Sequence, residues 1–398
     1  MRPKENNISF LQYTGLGVLG MSFFMYTLGS IYENEDAYST LFYVAVLIAG
    51  ALLLKDRTAL RQYKRYYIWQ TAFILLISLS VLYTVNPNPT PYVVQMFKIL
   101  LKVTTVAIIC KNYEGVKKLL LCIALVGVAV FFALYTRGLL NDVGRLGNEI
   151  MGNANSFGLM TTVFYIGAFS SINNVKDKYL KYFFIFAVVL DIVLMAMTGG
   201  RKFLLFAMVF MFSSLLAQGT IKPGRLLLVG FVTGIIVVIM SYIIMNVGFF
   251  YDAIGYRFDG MFSGQAEGVD DQEYLMQRGI EIFKERPFWG WGVEGYRYAS
   301  KTGFYAHSNY VELLADYGII GTLLYYSNLL WCALVMWRKR MFQEEEFKFY
   351  FPLLISIFVL DVLSISFNQT AYIPLFIMFI TGYCYRLSRR KKLLNRVA

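Results

Sequence analysis

One histidine, His307, is the only imidazole in this 398-residue chain. It sits in Tyr305-Ala306-His307-Ser308-Asn309, just ahead of a long apolar run. Asn309 and Glu312 stand at capping-box spacing, which places the imidazole at the mouth of a helix. The positive end of a helix favours the neutral ring, the form that a general base needs. A solitary histidine is more often structural than catalytic, and the spacing leaves both readings open.

The arginines suggest anion binding. Arg201 closes Thr198-Gly199-Gly200-Arg201, a tight turn between two apolar runs, and opens the second of them. Free N–H groups and the dipole at a helix start suit an anion, whereas a snorkelling arginine would only reach the headgroups. Arg278, with Arg257 ahead of it in Gly255-Tyr256-Arg257-Phe258, lies in a long segment rich in acids. An ion pair of Arg278 with Glu281 or Glu285 explains it as well as an anion ligand does. Glu294 and Glu312 are the next candidates for a base. Asp191, Asp361, Lys98 and Lys102 fall inside apolar runs, where charge is costly and faces a partner or a cavity. Lys98 and Lys102 share a helix face, and either pairing with Asp191 or holding a lipid phosphate would account for them. Gly290-Trp291-Gly292-Val293-Glu294-Gly295 matches G-x-G-x-x-G, but it follows a helix rather than a strand. Its glycines therefore read as a tight turn and not as a dinucleotide site.

The elements that must carry these residues are membrane helices. The chain is 58% hydrophobic and 16% charged, with mean hydropathy +0.54, far from the balance of soluble domains. Runs long enough to cross a bilayer lie near 9–31, 38–54, 66–85, 91–110, 116–136, 155–172, 180–198, 202–219, 225–247, 310–336, 350–367 and 371–386. They predict an all-α polytopic membrane protein of about twelve spans, a single integral domain over 1–398. The net charge of +12 is scattered over short segments between the spans, so it indicates no nucleic acid. Most of the 37 Lys and Arg residues fall on one side of the alternating segments. Both termini are then expected in the cytoplasm, and segment 248–308, between spans 9 and 10, is expected outside. The N-terminal run is expected to stay as an anchor. Four cysteines without ligand spacing predict neither a zinc site nor a disulfide framework.

Segment 248–308 is too long for an idle connection. Within it Gln272–Arg286 reads as an amphipathic helix, with Leu275, Met276, Gly279, Ile282 and Phe283 on one face and Arg278, Glu281 and Glu285 on the other. Asp270 or Asp271 is placed to cap its start, and Pro287 stops it.

Several motifs together resemble the O-antigen ligase and polymerase superfamily, which includes the Wzy-type polymerases of surface polysaccharides. They are Gly152-Asn153-Ala154-Asn155-Ser156-Phe157-Gly158, Met197-Thr198-Gly199-Gly200-Arg201, and Arg278 followed by Pro287-Phe288-Trp289-Gly290-Trp291-Gly292. The last is His307-Ser308-Asn309-Tyr310-Val311-Glu312 followed by Asp316-Tyr317-Gly318-Ile319-Ile320-Gly321. The resemblance is strongest over 140–330.

It implies a GT-C-like, metal-independent, inverting glycosyltransferase that needs no cofactor and works at the outer face of the cell membrane. It assigns Arg201, Arg278 and Arg257 to the diphosphate of a polyprenyl-linked glycan donor and His307 to the base. Asn155, Glu294, Asn309 and Glu312 become candidate contacts to donor or acceptor. The expected partners are the lipid-linked donor, a glycan acceptor, membrane lipid, a chain-length regulator and a flippase. A ligase moving finished glycan is the near alternative. A lipid-linked oligosaccharide flippase is the distant one, and it would more naturally show repeated halves and charges along a central cavity.

Overall fold

In the computed structural model the residues described are 9–28, 35–140, 146–218, 242, 246, 269–339, 344–367 and 372–397. Among them there is helix and no strand, the only backbone that can cross lipid without closing into a barrel. In chain order the helices are α1 Phe10–Leu28, α2 Glu35–Lys55, α3 Thr58–Gln62, α4 Lys64–Ser80, α5 Thr90–Cys110, α6 Tyr113–Thr136, α7 Asn148–Met151, α8 Ala154–Asn174, α9 Lys178–Met197 and α10 Arg201–Leu216. They continue with α11 Val269–Glu285, α12 Gly295–Ala299, α13 Asn309–Lys339, α14 Glu345–Leu363 and α15 Tyr372–Val397. Most of the run at 225–247 and all of 248–268, Arg257 included, lie outside the described residues.

Five of the described helices have the length and apolarity of a membrane span: Ala37–Lys55, Thr90–Cys110, Tyr113–Thr136, Lys178–Met197 and Asn309–Lys339. The apolar run at 66–85 is shorter as a helix, because the chain leaves α4 after Ser80 through successive turns. α14 has the length, but its first turns carry Glu345, Glu346 and Lys348.

The chain divides into two units, with boundaries inside α3, α5 and α10. In the first, residues 1–59, 105–208 and 220–264, α6 packs against α8, α9 and α1, and α8 packs against α9. Ala124, Ala168, Phe184 and Ala187 form a buried cluster there, since small side chains let membrane helices approach closely. Asp191 is buried in this unit with neither carboxylate oxygen hydrogen-bonded. In the second unit, residues 60–104, 209–219 and 265–398, α13 packs against α4, α11, α14 and α15.

Candidate functional site

In the second unit the periodicity of the loop helix has its expected consequence. Leu275, Gly279 and Ile282 are buried on α11, while Tyr274 and Ile280 are exposed. The helix starts at Val269, so Asp270 and Asp271 fall in its first turn rather than ahead of it. It ends at Glu285, two residues before Pro287. Ile282 joins Tyr296, Ala306, Val311 and Ala315 in one apolar cluster, with Met276, Trp291 and Ala299 packed against it. Polar bonds tighten that seat: the Tyr296 hydroxyl donates to the Leu275 carbonyl at 2.8 Å, and the Trp291 indole donates to the Ile282 carbonyl at 3.1 Å. The Arg286 guanidinium lies 3.9 Å from the Trp291 ring centre.

The glycine-rich loop is held by an exchange of backbone hydrogen bonds. α13 breaks at Gly318, whose φ of 62° and ψ of −165° are not helical. In an unbroken helix the N–H groups of Ile319 and Ile320 would serve the carbonyls of Ala315 and Asp316. Instead Ile319 and Ile320 donate to Pro287 and Phe288 at 2.8 and 3.3 Å, and Trp291 and Gly292 donate to Ala315 and Asp316 at 2.9 and 2.7 Å. These four backbone groups thus find partners in the loop, as buried peptides require. The contact tolerates no side chain. A Cβ at Gly318 would lie 2.4 Å from the Phe288 carbonyl, and one at Gly290 would lie 2.4 Å from that of Asp316. The reading of the G-x-G segment as a turn packed on a membrane helix is correct.

His307 occupies the far end of this seat, half-buried on a left-handed backbone with φ 56°. Such a conformation costs a non-glycine residue roughly 1–3 kcal/mol unless its surroundings impose it. They do so on both sides. The Ala306 N–H donates to Glu312 Oε2 at 2.7 Å, and its methyl is in the apolar cluster. The Ser308 hydroxyl donates to the Asp361 carbonyl at 3.4 Å. The His307 ring centre lies 4.4 Å from that of Tyr305.

The capping box is not formed, which corrects the expectation from spacing. Glu312 reaches back to Ala306 rather than to the cap, and Asn309 turns inward. Asn309 is fully buried, its Nδ2 donating to Tyr326 Oη at 3.1 Å and Asp361 Oδ2 at 3.2 Å. Its Oδ1 accepts from the N–H groups of Ser366 and Phe367 at 3.0 and 3.2 Å. All four positions of the amide are used inside the protein. Asn309 therefore positions the start of α13 through these bonds. Asp361, unexplained in sequence, also accepts from Tyr326 Oη at 2.9 Å and from the Ser366 hydroxyl at 2.5 Å. The network anchors the start of α13 to α14.

Glu312, Glu294 and Asp316 are all buried carboxylates. Asp316 Oδ1 accepts from the Tyr296 N–H at 2.7 Å and so caps α12. Glu294, left-handed at φ 54°, pairs with Arg297 at 3.1 Å, and Arg297 in turn reaches Tyr92 Oη at 3.4 Å. Burial raises the Glu294 carboxyl above its ordinary range, while Arg297 and Tyr92 draw it back. Nothing in the spacing singled out Arg297 or Asp316. Arg278 makes the ion pair that sequence left open, donating from Nη1 to Glu281 at 2.8 Å in an exposed position. One pair uses a fraction of the five guanidinium N–H groups.

In the first unit Arg201 is the first residue of α10, after Gly199 at φ 65°. The Leu146 N–H donates to the Met197 carbonyl at 3.0 Å. Asn153 caps α8 by accepting from the Asn155 N–H at 2.8 Å. Phe203 lies against Gly158, where a Cβ would come 2.1 Å from its ring, so the first turns of α8 and α10 lie side by side. Two motifs some fifty residues apart in the chain, one holding Asn155 and the other Arg201, are thereby brought to one end of this unit. Their helix N-termini present positive dipole ends together.

Residues 186–326 match the family model described as O-antigen ligase. The chain carries a domain of the O-antigen ligase and polymerase superfamily. The matched stretch runs from α9 into α13 and holds Arg201, Arg278 and His307, with Asn155 ahead of it. No curated protein matches the chain. The matched stretch, with five described helices long and apolar enough to cross a membrane, supports a multi-pass membrane protein of O-antigen ligase or polymerase type.

Proposed function

We propose that the chain polymerises polyprenyl-diphosphate-linked oligosaccharide repeat units of a surface polysaccharide by inverting, metal-independent glycosyl transfer at the outer face of the cell membrane. The observation that carries this reading is His307, a half-buried imidazole on a backbone held left-handed from both sides within the family's domain. In the reaction His307 takes the proton of an acceptor hydroxyl, whose oxygen attacks the anomeric carbon of the donor. The bond from that carbon to the diphosphate oxygen breaks, and polyprenyl diphosphate leaves with the electron pair.

Arg201 and Arg278 are assigned to the charge that develops on the diphosphate, with Arg257 as a further ligand. Asn155, Glu294 and Glu312 are assigned to the neighbourhood of donor and acceptor, Glu312 through its hold on Ala306. About twelve spans in a GT-C-like arrangement, termini in the cytoplasm and segment 248–308 outside complete the reading. A chain-length regulator and a flippase are the expected partners. The ligase reading is favoured by the matched family's own description and uses the same donor chemistry.

The test is purified protein in detergent, supplied with polyprenyl-diphosphate repeat units and excess chelator. A ladder of lengthening products is expected. A single transfer to a separate acceptor would make the chain a ligase. Absence of any glycosidic bond, with movement of the same donor across proteoliposomes, would replace the enzyme by a flippase.

A further inference from the structure

The second unit carries two antiparallel helices whose exposed faces are apolar. Ile68, Leu75, Leu79 and Leu82 are exposed along α4 and the turn that follows it, and Ile320, Leu323, Leu330 and Leu334 are exposed along α13. The helices are aligned by the Trp69 indole, which donates to the Leu324 carbonyl at 2.9 Å, and by Arg65, 3.7 Å from the ring centre of Trp331. Both stripes end together. α4 ends at Ser80, and the turn after it carries Leu82 and Tyr83, whose hydroxyl donates to the Trp289 carbonyl at 3.1 Å, while α13 reaches its kink, where Ile320 donates to Phe288. The rings of Phe288 and Trp289 are 64% and 55% exposed there, although the carbonyls of both residues are spent on other parts of the unit.

We infer that Phe288 and Trp289 lie at the bilayer surface and mark the boundary of the hydrocarbon, so that residues 309–317 of α13 stand in the headgroup layer and beyond it. The occupant of this surface is lipid. Its other edge is marked by Trp337, 67% exposed, followed by Arg338 and Lys339, and on α4 by Lys64 and Arg65. At 1.5 Å per residue, Ile320 to Trp337 spans about 26 Å and the helical stretch Arg65 to Ser80 about 23 Å, with the turn at Leu82 beyond it, close to the roughly 30 Å of a hydrocarbon core. Two helices thus give similar thicknesses from separate residues. Aromatic rings at one edge and aromatic plus basic residues at the other are the usual markers of an interface. His307, Glu312 and Asp316 then lie on the watery side of the kink, level with lipid phosphates. The inference rests on the chain spanning a membrane and not on the reaction proposed above.

The experiment uses the full chain in phosphatidylcholine vesicles brominated at shallow or deep acyl positions. The fluorescence lost in Trp289→Phe is taken as the signal of Trp289. It is expected to be quenched several-fold more by shallow than by deep bromines, and weakly by aqueous iodide. Quenching by iodide with none by bromolipid would overturn the proposal and make the rings a solvent-facing, sugar-binding surface. Equal or stronger quenching by deep bromines would overturn it in the other direction. Should Trp289→Phe misfold, a nitroxide on Leu82→Cys reads the same boundary through its relative accessibility to oxygen and to a water-soluble nickel chelate. These readouts are of depth and do not depend on catalysis, so an inactive protein with the expected depth separates the two proposals.

Discussion

At the scale of single residues, the role proposed for His307 is separable from that of the groups that hold its backbone. His307→Ala is expected to lower glycan transfer by about 100- to 10,000-fold, the usual weight of a general base, while the purified protein keeps its unfolding temperature. Activity against pH should rise along an ascending limb, since protonated imidazole cannot accept a proton. Glu312 acts one step back, on the Ala306 N–H. Glu312→Gln leaves an acceptor there and should retain most transfer. Glu312→Ala orphans a buried donor, at about 1–3 kcal/mol, and should cost rate and stability together. A Gln variant as damaged as the Ala variant would mean that the charge itself is used. Glu294 gives a pH signature of another kind. Its carboxyl is raised by burial, so the folded state holds its proton to higher pH than the unfolded state does. Stability must therefore fall as pH rises from the ordinary carboxylate range, about 4.3, through the folded value. Thermal unfolding followed between pH 4 and 7 should show a shallower decline in Glu294→Gln than in the parent.

At the scale of elements, the clasp between the glycine loop and α13 is the feature on which the site depends. Gly318→Ala must either abandon a left-handed φ or drive a Cβ to within 2.4 Å of the Phe288 carbonyl. Detergent-solubilised protein is expected to lose several degrees of unfolding temperature, whereas alanine at exposed Gly17, where a Cβ meets nothing within 4 Å, should be neutral. The clasp also shows where sequence is legible and where it is not. The amphipathic period of α11 identified its buried face, because apolar burial follows a spacing of 3.6 residues whatever lies opposite. Hydropathy found α13 but not its break, since glycine is common in membrane helices and the kink is fixed by carbonyls of the loop at 287 and 288. Asn309 looked like part of a cap because capping is local. Its partners Asp361 and Ser366 lie 52 and 57 residues further on, beyond any local pattern. The charge of Asp361 inside an apolar run was the one visible sign of that network.

At the scale of the whole molecule, orientation decides whether the assigned residues can meet their substrates. Lysine and arginine counts predict both termini in the cytoplasm and α11 to α12 outside, and such a bias acts through the short loops beside each span. α11 and the start of α14 test it from described, exposed positions, Glu285 and Glu345. In intact cells, Glu285→Cys is expected to react with a membrane-impermeant maleimide, and Glu345→Cys to react only after permeabilisation. The four native cysteines are buried or half-buried, so the background should be low. The reverse pattern would put His307 on the cytoplasmic side. There nucleotide sugars serve as donors, and the argument for a donor that brings its own polyprenyl diphosphate would fall. The expected pattern would leave that argument standing for a physical reason. Beyond the cytoplasmic membrane an activated sugar must arrive attached to its leaving group, and a site there has to stabilise a departing diphosphate. Arginine can do this where a bound metal otherwise would, through fixed, two-pronged hydrogen bonds that a lysine does not reproduce. Arg201→Lys and Arg278→Lys should accordingly depress transfer at normal protein levels. Full activity in both would remove the diphosphate assignment, and the ion pair of Arg278 with Glu281 would then be the whole of that residue's role.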